Sequence, residues 1–218
     1  AALAAYLEQH LPGFRGPMGS HKFSGGQSNP TYLLNAESGR YVLRRKPPGT
    51  LLASAHAVDR EFRVLQALHG GAVPVAKPFH LCLDDRIIGS MFYVMEFIEG
   101  RIFWDPSLPE CTAGQRGAFY DAVIRTLAAI HSVPIEPAGL ADYGKPGNYF
   151  ARQITRWTEQ YRASVTHDIP AMDTLIDQLP GRCPADDGSP GLVHGDFRID
   201  SLMLEPEGTR VLAVVDWE

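Results

Sequence analysis

His194-Gly195-Asp196-Phe197-Arg198-Ile199-Asp200-Ser201, followed by Val214-Val215-Asp216-Trp217-Glu218, decides how this chain is read. Residues 202–204 and 211–215 are apolar and flank the turn Glu205-Pro206-Glu207-Gly208, which predicts a two-stranded hairpin. Such a hairpin can bring Asp196 and Asp216 to one point from two separate loops. Phosphoryl transfer needs little covalent help from a protein: a carboxylate to hold the attacking hydroxyl, and ligands for Mg²⁺. Asp196 suits the first task. Asp216, at the end of an apolar strand, suits the second. A lone His-Gly-Asp is more often a turn cap followed by nothing, so the weight rests on what lies upstream.

Working outward, residues 1–11 are rich in Ala and Leu and stop at Pro12, which predicts a short helix. From Phe14 to Lys46, Gly25-Gly26 and Glu37-Ser38-Gly39 separate segments such as Thr31-Tyr32-Leu33-Leu34 and Tyr41-Val42-Leu43, predicting three antiparallel strands. Val58, Phe62, Leu65 and Leu68 recur at helical spacing within residues 52–68, and Gly70-Gly71 supplies the stop. Strands are predicted over 78–83 and 91–98. After Glu99-Gly100 the pattern becomes helical. Thr112 is a candidate N-cap for a helix reaching His131, with Phe119, Val123, Leu127 and Ile130 on one face. Helices are predicted over 148–163 and 171–179, a surface loop over 180–190 and a further short strand over 191–194. A β-rich half followed by a helical half implies a cleft between them.

Gly25-Gly26-Gln27-Ser28-Asn29 lies between two predicted strands. Glycines there let backbone N–H groups approach phosphate oxygens, and Ser28 and Asn29 can add side-chain donors. No G-K-[ST] follows, so this is not a Walker A loop, and a Gly-Gly turn alone is usually only a hairpin.

The segments around His194–Ser201 and Val214–Glu218 resemble the aminoglycoside phosphotransferase family, a branch of the protein-kinase-like fold whose kinase counterparts are H-R-D-x-x-x-x-N and D-F-G. Three further stretches resemble the kinase-like domain associated with acyl-CoA dehydrogenases: Phe23-Ser24-Gly25-Gly26-Gln27-Ser28-Asn29-Pro30-Thr31-Tyr32, Ala55-His56-Ala57-Val58-Asp59-Arg60-Glu61 and Asp142-Tyr143-Gly144-Lys145-Pro146-Gly147-Asn148-Tyr149. The resemblance implies an α+β fold of two lobes. An N-lobe over 1–97 would hold a five-stranded antiparallel sheet, one helix and a leading helix. A mainly helical C-lobe over 98–218 would lack its C-terminal helices, because family members continue past the position of Glu218. It implies ATP and Mg²⁺ as cofactors and a small-molecule hydroxyl as acceptor, with a hydroxyacyl-CoA or hydroxy acid suggested by the nearest relatives.

The same resemblance assigns roles. Asp196 is the catalytic carboxylate. Arg44 is the strand-three cation for the α- and β-phosphates, and Glu61 is its helix partner. Gly25, Gly26, Ser28 and Asn29 line the phosphates. Met95 closes the back of the adenine pocket, whose edge meets main-chain groups of Glu96 and Ile98. Asp216 and Ser201 are the metal ligands, Ser201 standing where the family normally has Asn. Some of this is legible without the family: alternation sets Arg44 opposite Leu43, and Glu61 falls at the edge of an apolar helical stripe, where a carboxylate needs a cation. His194 is expected to brace the backbone near Asp216, and Arg198 with Asp200 to brace the loop.

Composition excludes other classes. The net charge of −5 and pI near 5.9 argue against a nucleic-acid binder. Cys82, Cys111 and Cys183 are too few and too far apart for a disulfide framework or zinc knuckle, which favours a cytoplasmic protein. No apolar run approaches the roughly 20 residues of a membrane span. The expectation is therefore an ATP- and Mg²⁺-dependent small-molecule phosphotransferase. Its alternatives are a nucleotide-binding pseudokinase with a regulatory role, favoured by Ser201, and a metal-dependent hydrolase using His194, Asp196 and Asp216. Oligomeric state is not legible.

Overall fold

A computed structural model describes residues 2–24, 29–47, 57–145, 147–186 and 188–217. Two compact units divide it: residues up to Leu140 together with those from Leu192 onward, and the segment Ala141–Gly191.

In the first unit, helix α1 (Ala2–His10) leads into strands β1 (Met18–Lys22), β2 (Thr31–Ala36) and β3 (Gly39–Arg45). Helix α2 (Val58–Leu68) follows, then β4 (Pro78–Cys82) and β5 (Phe92–Glu96). The five strands form one antiparallel sheet in the order β1-β2-β3-β5-β4. Strand alternation then decides what each face holds. Leu34, Leu43, Cys82, Phe92 and Val94 point to one face and pack with Leu7, Leu11 and Phe14 from α1 and the chain after it. Burying those three side chains stabilises the unit by about 1.5–3 kcal/mol apiece. Residues of the opposite parity, Arg44 and Tyr93, stand directly across from one another on β3 and β5, facing α2. There the Tyr93 ring lies 5.7 Å from that of Phe62. The sheet is thus covered on both faces: α1 takes the apolar parity and α2 the parity that carries the charge.

Helix α2 starts at Val58, since Ala57 is non-helical, and residues 52–56 of the predicted helix lie outside the described residues. Its buried face is Val58, Glu61, Phe62, Val64, Leu65 and Leu68, and Gly70 with φ +81° turns the chain away. Helix α3 (Ala113–His131) begins with a reciprocal capping box. The Gln115 amide N–H donates to Thr112 Oγ1, and the Thr112 amide N–H to Gln115 Oε1. Its buried stripe runs Phe119, Val123, Thr126, Ile130. Thr126, rather than Leu127, fills the third place because its hydroxyl is satisfied by the Ala122 carbonyl 2.8 Å away.

After a short 3₁₀ turn (Ile199–Ser201), strands β6 (Leu202–Leu204) and β7 (Val211–Val214) form the expected hairpin. The Arg101 and Leu204 main chains exchange two 2.9 Å hydrogen bonds, and the Val214 N–H donates to the Pro74 carbonyl at 2.8 Å. Residues 191–194 are not a strand. Leu192 and His194 are buried and Val193 exposed, so the segment alternates as a strand would, yet no neighbour pairs with it among the described residues.

The second unit contains helices α4 (Tyr149–Ser164) and α5 (Pro170–Gln178). Asn148 precedes α4 in the left-handed region, φ 52°, and its N–H donates to the Asp186 carboxylate, which also accepts from the Gly188 N–H at 2.8 Å. Among the described residues no helix is long and apolar enough to cross a membrane.

Candidate active site

The segment from His194 to Ser201 is held by backbone and ring contacts. His194 is buried, and its Nε2–H donates to the Val215 carbonyl at 2.9 Å, which fixes the tautomer. Burial lowers the pKa of this imidazole below its ordinary value, keeping it neutral. Its ring lies 4.6 Å from that of Trp217, whose indole N–H donates to the Val214 carbonyl at 3.0 Å. His194 therefore has the bracing role expected of it, with Nε2 committed to main chain.

Gly195 follows with φ +94°, a conformation that suits glycine, and turns the chain so that the next side chain leaves the packed interior. Asp196 is 69% exposed, with Arg198 Nε 3.9 Å from its Oδ1. Arg198 is engaged more closely by Asp200, through Nε at 2.9 Å and a second contact from Nη2. That pair keeps Arg198 from neutralising Asp196 closely.

Ser201 joins the two halves of the motif. Its hydroxyl donates to the Asp196 carbonyl at 3.1 Å, and its own carbonyl accepts from the Val215 N–H at 2.9 Å. The residue is buried, and with its proton committed, what Oγ can offer a cation is a lone pair. Asp216 comes next after Val215, with φ 69° and a side chain 43% exposed. Positive φ is costly for a non-glycine residue, and here neighbours over-determine it.

Arg44 completes the site. Its Nε lies 2.9 Å from Glu61 Oε2, and its Nη2 lies 2.5 Å from Asp216 Oδ1. Burial works to lower the guanidinium pKa, but the Glu61 carboxylate and then Asp216 more than reverse this and raise it. Burial raises the Glu61 pKa, against the pull of Arg44 and, after it, of the nearby Tyr93 hydroxyl and Trp217 backbone. The sequence reading placed Arg44 with Glu61. It missed the direct reach to Asp216, and it missed Tyr93 and Trp217, read only as parts of a buried strand and a motif tail. A tyrosine inside the otherwise apolar run 92–95 was the available signal.

The remaining assigned residues fall around this core. Gly25, Gly26 and Ser28 lie outside the described residues. Asn29 is only 2% exposed, and among the described residues neither atom of its side-chain amide has a hydrogen-bond partner. It lies two residues before Thr31, the cross-strand partner of Arg44. Glu96 donates its N–H to the Lys77 carbonyl at 2.9 Å and accepts the Lys77 N–H on its carboxylate at 3.2 Å, so that amide is not available to a base edge. Ile98 has no such commitment among the described residues. A cation with a polyphosphate fits this group of side chains: a half-exposed carboxylate, a hydroxyl lone pair, a guanidinium and the buried Asn29 amide.

Residues 21–218 match the model of the phosphotransferase enzyme family, APH. The chain is 47% identical over 221 residues to acyl-CoA dehydrogenase family member 11 of Mus musculus, covering 100% of this chain and 28% of that protein. A crystal structure from Ralstonia eutropha, provisionally named an aminoglycoside phosphotransferase, is 50% identical with a TM-score of 0.88, covering 99% of this chain and 63% of that one. The aminoglycoside phosphotransferase APH(4)-Ia, in a ternary complex with ADP and hygromycin B, shares the fold at a TM-score of 0.67 and 17% identity, over 100% of this chain and 71% of that one. The fold is thus α+β and kinase-like. The chain spans little more than a quarter of the mouse relative. On the strength of the matched span and of these neighbours, the chain belongs to the phosphotransferase enzyme family.

Proposed function

We propose that this chain is an ATP- and Mg²⁺-dependent phosphotransferase acting on the hydroxyl of a small molecule, with a hydroxyacyl-CoA or hydroxy acid as acceptor. The observation that carries the reading is the placement of Arg44 between Glu61 and Asp216. One buried cation thereby ties the strand that would meet the phosphates to the carboxylate that would meet the metal. We divide the chain for this purpose at the segment after β5, residues 1–97 forming the nucleotide-binding lobe and 98–218 the catalytic one.

Asp216 and the Ser201 hydroxyl would hold the metal, which when bound neutralises charge on the phosphates. Arg44 would reach the phosphates, with Asn29, Gly25, Gly26 and Ser28 beside them, and the Ile98 N–H and a Glu96 main-chain group would meet the base. Asp196, exposed and held by its loop, would accept the proton of the acceptor hydroxyl. As the new O–P bond forms, the bond from the γ-phosphorus to the bridging oxygen breaks and ADP leaves. The acyl acceptor class is supported by the name of the mouse relative, an acyl-CoA dehydrogenase family member. A cytoplasmic location is supported by the free thiols of Cys82, Cys111 and Cys183.

The test is ³¹P NMR of Mg-ATP with hydroxyacyl-CoAs and free hydroxy acids. The expected result is ADP and a phosphate monoester in equal amounts, with Asp196→Asn slowing transfer by about 10²–10⁴-fold while nucleotide affinity is kept. Nucleotide binding without a phosphorylated acceptor from any hydroxyl compound would overturn transfer. A second reading, a nucleotide-binding regulatory module, is favoured by Ser201, whose proton is already given to the Asp196 carbonyl. Ser201→Asn separates the two: faster transfer supports a working site, and a variant as inert as wild type supports the module.

A further inference from the structure

Asp196, Arg198 and Asp200 alternate along the segment before the hairpin, so one guanidinium stands between two carboxylates. It does not divide itself evenly. Arg198 donates from Nε to Asp200 Oδ1 at 2.9 Å and from Nη2 to Asp200 Oδ2, the two-pronged grip that suits a guanidinium and a carboxylate. The same Nε is 3.9 Å from Asp196 Oδ1, too far for a hydrogen bond. Asp200 is 16% exposed, whereas Asp196 is open to solvent. The shape of the segment has other supports. The Ser201 N–H donates to the Arg198 carbonyl at 3.2 Å, the Ser201 hydroxyl to the Asp196 carbonyl at 3.1 Å, and the Val215 N–H to the Ser201 carbonyl at 2.9 Å. The carboxylate of Asp200 therefore acts on Arg198 rather than on the course of the main chain.

We propose that Asp200 is a positioning residue for phosphoryl transfer, holding the Arg198 guanidinium off Asp196 so that the Asp196 carboxylate stays open to the acceptor hydroxyl. A carboxylate that takes the proton of an incoming hydroxyl must present a lone pair to it. A guanidinium forked onto Asp196 would cover those lone pairs and make them poorer acceptors. Arg198 lies close enough to do this after a small swing of its side chain, and the grip of Asp200 on both Nε and Nη2 prevents the swing. Asp200 thus works on Asp196 through the cation between them. This inference rests on the reading of Asp196 as the group that meets the acceptor hydroxyl.

The test is Asp200→Asn, which removes the charge and keeps the size, read in two ways. The first is ¹⁵N NMR of the Arg198 Nε–H, whose exchange with water slows while a carboxylate holds it. In Asp200→Asn the proton is expected to stay protected, now by Asp196, and to lose that protection in Asp196→Asn/Asp200→Asn. The second is transfer from Mg-ATP to the hydroxyacyl-CoAs and hydroxy acids named above. Asp200→Asn is expected to lower kcat about tenfold with KM for nucleotide kept, a share of the roughly 10²–10⁴-fold that a placed base contributes. Arg198→Gln/Asp200→Asn is expected to recover most of the loss, because no cation is left to cover Asp196. A double variant as slow as Asp200→Asn, or slower, would overturn the proposal, since the pair would then only brace the segment. So would an unchanged kcat in Asp200→Asn, or an Arg198 Nε–H that exchanges freely in it. An Asp200→Asn chain that does not fold, and that Arg198→Gln does not restore, overturns it too. Wild type that phosphorylates none of these compounds would instead overturn the proposed function, while the NMR readout still reports whether Arg198 moves to Asp196.

Discussion

Arg44 and Asp216 are 172 residues apart in sequence and 2.5 Å apart in space. The contact joins β3 to the end of the β6–β7 hairpin, and Glu61 holds the same guanidinium from the other side. Asp216→Ala removes the half-exposed partner and leaves the buried one. Its expected effect is small on stability and large on metal dependence: nucleotide titrated with and without Mg²⁺ should give the same Kd in this variant and different values in wild type.

Arg44→Met is expected to behave in the opposite way. It leaves Glu61 buried with no cation, and breaking a buried pair from one side costs about 3–5 kcal/mol. Urea denaturation should show that loss, and Arg44→Met/Glu61→Leu should recover most of it, because neither charge is then stranded.

Gly100 has no room for a side chain. A Cβ there would sit 2.6 Å from the Leu204 carbonyl oxygen and 2.6 Å from Met203 Cγ. The carbonyl is fixed by its bond from the Arg101 N–H. Gly100→Ala should therefore shift the hairpin, costing about 1–3 kcal/mol as overpacking does. A lowered Tm together with weakened Mg²⁺-dependent nucleotide binding is the expected outcome, since Ser201 and Asp216 flank the displaced strands.

His80 sets a dependence on pH. It makes a 3.0 Å hydrogen bond with the Tyr6 hydroxyl, and burial, with a smaller push from His10, lowers its pKa below 6.5. The unfolded chain then binds more protons than the folded chain between that lowered pKa and 6.5. Stability contributed by neutral His80 is present above that window and is lost as pH falls through it. Thermal melts should show this decline on acidification, and His80→Gln should flatten it.

Much of the fold was legible because its signals are local. The Thr112 cap, the stop at Gly70 and the alternation of Tyr41-Val42-Leu43-Arg44 each act within a few residues, and each is found where it was expected. The pairing of Arg44 with Glu61 was legible for a similar reason, since an inward carboxylate demands a cation. What escaped depends on contacts between distant elements. Arg44 reaches Asp216 from the other end of the chain, whereas His194 is held, as expected, by the backbone across the hairpin, at the Val215 carbonyl. Residues 191–194 alternate as a strand does, but alternation reports burial and not pairing, and no partner strand lies beside them among the described residues.

The double cover of the sheet ties two kinds of failure together. Leu43 faces α1 and Arg44 faces α2, one residue apart on the same strand. A slip of β3 by a single residue would invert both at once. The guanidinium would be driven into the greasy layer and the leucine left among the carboxylates. A mispaired chain would then lose its Arg44 ion pairs and expose apolar surface at the same moment, so any variant that keeps the Arg44 contacts has already passed a test of correct assembly.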